Sequence, residues 1–229
     1  MIVLYGSALR RKHQMTKPDD LSSTKNVEGT AEQRNALRRS MLAARKAIPP
    51  EIRVQADAAI NARIRNILSG IKGSYTIAGY ITDGTEPDLA PVLNEALAQG
   101  NTLCLPRYVS AEKYDFAFAD SLGFSNAKFG IPEPGPDAPA ADLKVLNDAI
   151  WLIPGVVFDP SCARMGRGKG VYDRMLEAAQ PKLAIGIFYE CQNGIRIPAQ
   201  PHDRPMDIIV TESRVITRSG FINPLLQGE

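Results

Sequence analysis

Long apolar runs are missing from this sequence: no stretch approaches the roughly 20 apolar residues that a membrane-spanning helix needs. A dominant charge is missing too. Lysine and arginine number 27 against 25 acids, a net charge of +2, so no overall field argues for a nucleic-acid or membrane-surface partner. Cysteine is sparse and odd in number, at positions 104, 162 and 191, without metal-ligand spacing. That argues against a disulfide framework and for a reducing, cytoplasmic compartment. Cys104 and Cys191, in or beside apolar strands, read as small buried hydrophobes, whereas Cys162 sits in a loop that can expose it. Histidine is nearly absent: His13 and His202 are the only two, and His202, set among turn residues, is given no role. The apolar start at residues 1–5 is too short for the core of a secretion signal, and its charges follow it instead of preceding it.

What is present is ordinary for one globular domain: 229 residues, 44% hydrophobic and 23% charged, enough for a real core. Residues 1–30 are polar and without period, and read as a flexible extension ahead of a single domain over 31–229. A helix over 31–47 is stopped by Pro49–Pro50, and a second follows over 51–69. Strands and helices then alternate: strand 76–81, helix 87–99, strand 101–105, a half-buried arm at 114–119, strand 150–158, helix 171–179, and strands 182–189 and 207–211. Between them, 120–148 is a long excursion rich in Gly, Pro, Ala and Asp, read as a functional loop. Such alternation predicts an α/β fold, a mainly parallel open sheet flanked by helices, with ligands at the carboxyl ends of the strands.

At one such strand end stands Arg164-Met165-Gly166-Arg167-Gly168-Lys169-Gly170-Val171-Tyr172-Asp173-Arg174. Glycines between a strand and a helix let backbone N–H groups approach an anion, and the helix N-terminus favours negative charge. The run is neither a Walker A loop nor a dinucleotide fingerprint. A tight turn would explain the glycines but not the cations between them, so the segment reads as a nucleotide-phosphate site, with Asp173 able to hold a hard cation beside it. On the first helix, Arg34, Arg38 and Arg45 fall within about a 40° arc. For a lone helix the plainer reading of such a stripe is a solvated charged face.

The whole run resembles the signature of 5-formyltetrahydrofolate cyclo-ligases, Arg-x-Gly-x-Gly-x-Gly-aromatic-Tyr-Asp after a strand ending in Pro-Gly-x-x-Phe-Asp, here residues 154–159. Further matches follow in the family's order: Arg34 to Arg38, Tyr80-Ile81 with Glu86, Leu105-Pro106-Arg107, Ile131-Pro132-Glu133-Pro134, Gln192 and His202-Asp203. The resemblance covers about residues 31–217.

It implies the three-layer architecture shared with sugar-phosphate isomerases and CoA-transferases, and the ATP- and Mg²⁺-dependent conversion of 5-formyltetrahydrofolate to 5,10-methenyltetrahydrofolate. It implies ATP contacts from Arg34, Asn35, Ala36, Leu37 and Arg38, and from Arg164, Met165, Gly166, Arg167, Gly168, Lys169, Gly170, Val171 and Tyr172. Folate contacts would come from Ile81, Glu86 and Arg167 to Val171, Mg²⁺ contacts from Asp173 and Asp203, and transition-state charge would be met by Arg167 and Lys169. Arg45 stays with the solvated reading. Two features depart from the common pattern: Val171 stands where most members have an aromatic, and Lys169 replaces a frequent glycine. The partners expected are a reduced folate and ATP, with no nucleic acid or membrane, and a monomer. Two other readings remain open: an ATP-independent isomerase or CoA-transferase relative, and a folate- or nucleotide-binding module without turnover.

Overall fold

A computed structural model describes residues 31–110, 113–198, 200 and 203–223. The extension expected at 1–30, and His202, lie outside them. In chain order the elements are α1 (Ala31–Lys46), α2 (Pro50–Leu68), β1 (Thr76–Ala78), α3 (Ala90–Ala98), β2 (Thr102–Ser110), β3 (Lys113–Ala119) and the short pair β4 (Ala127–Lys128) and β5 (Ile131–Pro132). Then come α4 (Leu143–Asp148), β6 (Ile150–Pro154), β7 (Val157–Phe158), β8 (Arg164–Met165), α5 (Val171–Ala178), β9 (Leu183–Ile187), a 3₁₀ turn at Glu190–Gln192, β10 (Ile208–Val210) and β11 (Val215–Thr217).

The main sheet runs β11-β10-β9-β6-β1-β2-β3. Its five inner strands are mutually parallel, and β3 and β11 fold back antiparallel at the two edges. Successive strand residues feed opposite layers. Ile77, Leu152, Ile185 and Val210 join Ile60 and Ile64 of α2 and Leu93 of α3. Ala78, Trp151, Ile153 and Ile209 join Leu146 of α4 and Met175 and Leu176 of α5. Two covered faces explain why β6 and β9 are buried at every position and read as unbroken apolar runs. This is the predicted three-layer α/β sheet. α1 stands outside the layers, with Leu37, Met41 and Leu42 packed on Val156, Val157, Met165 and Ile197.

Several local expectations need correction. The strand foreseen over 150–158 ends at Pro154, and β7 leaves the sheet to pair antiparallel with β8. The first two residues of the glycine run are therefore strand. The excursion 120–148 contains α4, whose N-cap Asp142 accepts a bond from Val145 N–H at 2.8 Å. Six residues are too few for helical periodicity to register. The 87–99 helix starts only at Ala90, and β11 was not foreseen.

The cysteine assignments reverse in part. Cys162 is fully buried in the same core layer as Phe188 and Ile209, and Cys191 is exposed. Burial pushes the Cys104 thiol up to about 12 and that of Cys162 to about 11. Accordingly, a polar thiol reagent should titrate one cysteine in the native protein and all three in denaturant; fast labelling of two or more native thiols would contradict this packing.

Candidate active site

β6 delivers the chain to the carboxyl edge of the sheet, and the β7–β8 hairpin returns it to the glycine loop. Gly168 (φ 95°) and Gly170 (φ 63°) turn the backbone through the left-handed region, and Gly170 caps α5. A residue with a Cβ would be strained at either position, so the loop needs its glycines to start α5 where it does. In front of the loop lies a cleft of about 490 Å³. The glycine loop and the first turn of α5 form one wall, and the segment after β1, with Ile81, Asp83 and Glu86, forms another. The β4–β5 hairpin, from the excursion 120–148, contributes Lys128, Phe129, Ile131 and Pro132 to the rim.

Two charge clusters border the loop. On the cleft side, Arg167 pairs with Asp83 and, at 3.2 Å, with Glu86, which also faces Arg45 at 3.7 Å. Burial raises the Glu86 carboxyl, opposed by Arg167 and Arg45. For Asp83, burial acts upward as well, but hydrogen bonds from Arg167 and Thr85 outweigh it and hold the group below the usual carboxylate range. On the other side, Arg34 grips Asp203 with two bonds of 2.6 and 3.0 Å and donates to the Pro198 carbonyl at 2.5 Å. Arg164, buried, pairs with Asp173 and has no partner for its Nε. Arg38 donates to the Gly166 carbonyl at 3.0 Å. Asp173 and Asp203 both act electrostatically on Arg38 and Arg164, so all five groups share one neighbourhood.

The residues expected from sequence divide by location. Ile81, Glu86, Arg164, Gly166, Arg167, Lys169, Gly170, Val171, Tyr172 and Asp173 all line the one cleft. Arg34, Arg38 and Asp203 are grouped beside the glycine loop and are not among the cleft's lining residues. Asn35 and Ala36 are exposed, and the Asn35 side chain accepts from Arg38 at 2.7 Å. Met165 buries its side chain in the α1 contact, where Leu37 packs partly buried. Arg45 is a correction: the solvated face foreseen for it is absent, and the side chain is 1% exposed.

Sequence reasoning passed over Asp83, Lys128 and Phe129. Asp83-Gly84 after a strand carried a usable signal. Phe129 did not: it sits at φ 55° in a two-residue hairpin turn, 68% exposed, in a segment with no periodicity. Its ring packs edge-on against Tyr108, with Lys169 Nζ 5.2 Å from its centre.

A family model described as the 5-formyltetrahydrofolate cyclo-ligase family matches residues 30–212, a span that contains every site residue named above. The chain belongs to the 5-formyltetrahydrofolate cyclo-ligase family. It is 31% identical over 201 residues to a 5-formyltetrahydrofolate cyclo-ligase of Mycolicibacterium smegmatis, covering 80% of this chain and 95% of that one. The solution structure of an Aquifex aeolicus 5,10-methenyltetrahydrofolate synthetase superposes with a TM-score of 0.71 at 28% identity, over 82% of this chain and 94% of the other. The synthetase of Mycoplasma pneumoniae gives 0.64 at 26% identity, over 78% and 98%. Family membership and fold agree across nearly the whole described cyclo-ligase domain.

Proposed function

We propose that this cyclo-ligase converts 5-formyltetrahydrofolate to 5,10-methenyltetrahydrofolate, with ATP as co-substrate and ADP and phosphate as the other products. One observation carries the reading: Arg167 of the glycine loop is ion-paired to Asp83 and Glu86, so an anion-binding loop and an acceptor for pterin N–H groups form facing walls of one cleft.

That juxtaposition suits the chemistry the reading requires. A formyl oxygen on N5 is a poor leaving group. Its attack on the γ-phosphorus, with the bond to ADP breaking, makes it a good one. N10 then attacks the formyl carbon and loses its proton. The N5 lone pair expels phosphate, which carries away the former formyl oxygen. No covalent link to the enzyme is needed. In this reading the glycine-loop N–H groups and the α5 N-terminus cradle phosphates, and Arg164, Arg167 and Lys169 in the cleft, with Arg34 and Arg38 beside the loop, balance their charge. Glu86 and Ile81 face the folate.

Mg²⁺, when bound with the nucleotide, would neutralise phosphate charge. Asp173 and Asp203 offer the hard oxygen donors it takes, and the ion needs only one or two of these if phosphate and water complete its shell. Each carboxylate is already paired with an arginine, which makes a poor site for the free ion and a suitable one for an ion arriving with phosphates. Three free thiols support a cytoplasmic setting.

The direct test mixes protein, 5-formyltetrahydrofolate and MgATP and follows the near-ultraviolet band of the methenyl product. Formation that stops without ATP or with EDTA is the expected result. Binding of both ligands without product would leave a non-catalytic module instead. Phe129 supplies an exposed aromatic plane at the rim, where Val171 offers none. Phe129→Ala should therefore raise KM for the folate by about tenfold, the scale of one lost stacking contact of 1–1.5 kcal/mol, with KM for ATP unchanged.

A further inference from the structure

Glu86 is a largely buried carboxylate of the cleft, its side chain 11% exposed, and its Arg167 partner sits on the loop that the proposed nucleotide would occupy. A cation drawn toward phosphate is a poor permanent partner for Glu86. The second partner is different. Arg45 comes from α1, behind the cleft wall, and is 1% exposed. Its Nη1 lies 3.2 Å from the Gly155 carbonyl and 3.7 Å from Glu86 Oε1, and its Nη2 donates to Thr85 Oγ1 at 2.8 Å. Its Nε has no partner. Glu86 is the only carboxylate among the described residues within ion-pair distance of it. A buried guanidinium is costly unless it is paired, so Arg45 and Glu86 hold each other in place.

The surroundings lock this pair. Arg53 of α2 donates to the Arg45 carbonyl at 3.1 Å and to the Thr85 carbonyl at 2.8 Å. The corner between α1 and α2 thus grips the segment 83–86 from behind. Gln192, fully buried, donates to the same Gly155 carbonyl at 3.0 Å, fixing the end of β6 beside it.

We infer that Arg45 is a positioning residue for the folate wall: it fixes the Glu86 carboxylate and the adjoining Gly155 turn, so that Arg167 is free to exchange Glu86 for phosphate. The inference rests on the reading of Glu86 as a folate contact. Five groups face Glu86: Arg45 from α1, Arg167 from the glycine loop, Asp83 from its own loop, Tyr80 beyond β1 and Tyr172 from α5. Burial raises its carboxyl, and Arg45 is one of two cations that oppose the rise. Without Arg45 the group moves further up. Its protonated fraction then grows as pH falls, and a protonated carboxyl is a weaker acceptor for ring N–H donors.

The test is separate equilibrium binding of 5-formyltetrahydrofolate and of MgATP, each alone, to Arg45→Met, Arg45→Lys and Glu86→Gln and to the double variants, from mildly acidic to mildly alkaline pH. Arg45→Met should weaken folate binding about tenfold, more at acidic pH, and MgATP binding less than twofold, on the scale by which outer partners of a binding group act. Arg45→Lys should recover part of the loss. In the Glu86→Gln background, Arg45→Met should add nothing further and leave no pH dependence. Equal losses for both ligands, an undiminished loss in the Glu86→Gln background, or no loss at all would overturn the inference. If Glu86→Gln alone binds folate normally, the underlying reading falls; if Glu86→Gln loses affinity and Arg45→Met does not, the positioning role falls alone. Should Arg45→Met not fold, Thr85→Val, which removes the acceptor for Arg45 Nη2 and the hydroxyl bond to Asp83 but no charge, carries the same comparison with a smaller expected loss.

Discussion

Lys169→Met should lower kcat for methenyl product formation by about 10²-fold, the usual scale for losing one preorganised charge beside a developing one. The argument is positional. Lys169 sits between Gly168 and Gly170, lines the cleft, and is exposed. Among the described residues the only contact of its ammonium is the Phe129 ring, 5.2 Å away. An ammonium that stabilises nothing else is available for a ligand. Methionine keeps the length of the stem and removes the charge, so stability should move by less than about 0.5 kcal/mol. The informative outcome is therefore a large fall in kcat with an unchanged melting curve. A variant with wild-type kcat would remove Lys169 from the chemistry and leave charge balance to the arginines.

Asp173→Asn should act on stability and catalysis at once, and the two effects can be separated. Asp173 is the sole carboxylate among the described residues paired with Arg164, a guanidinium 3% exposed with an unpartnered Nε. Removing one member of a fully buried pair costs about 3–5 kcal/mol. Here the aspartate side chain is 28% exposed, and asparagine keeps an acceptor, so about 2 kcal/mol is expected, or roughly 4–8 °C in Tm for a domain of this size. Adding Arg164→Met should restore most of that loss, because an apolar pair of similar volume tolerates the site. Turnover should not return in the double variant, since the donor offered to Mg²⁺ and the cation beside the phosphates are both gone. Asp173→Asn with full Mg²⁺-dependent turnover would sink its metal role, whatever the melting curves show.

Much of the fold was legible because its signals are local. β6 and β9 lie between helical layers, so every side chain on them is apolar. Pro49 and Pro50 separate α1 from α2 by a restriction on their own backbone. The glycine loop is local too: left-handed φ at Gly168 and Gly170 is a property of those residues and starts α5 at the edge of the cleft. Short elements escaped. α4 spans six residues, and β7, β8 and the β4–β5 hairpin two per strand, too few for any period to repeat.

Local patterning therefore carries the layered α/β architecture, the edge of the sheet where ligands belong, and the family whose signature the glycine loop bears. Which charge answers which depends on how the folded chain converges. Arg34 meets Asp203 across 169 positions and Arg167 meets Asp83 across 84, and Arg45 lies in the core although its helical stripe reads as solvated. The physical reason is that hydrophobic burial imposes a period on the chain, whereas an ion pair imposes none. Its partners are set by which loops converge at the carboxyl edge of the sheet, and by the rule that a buried cation must find an anion there.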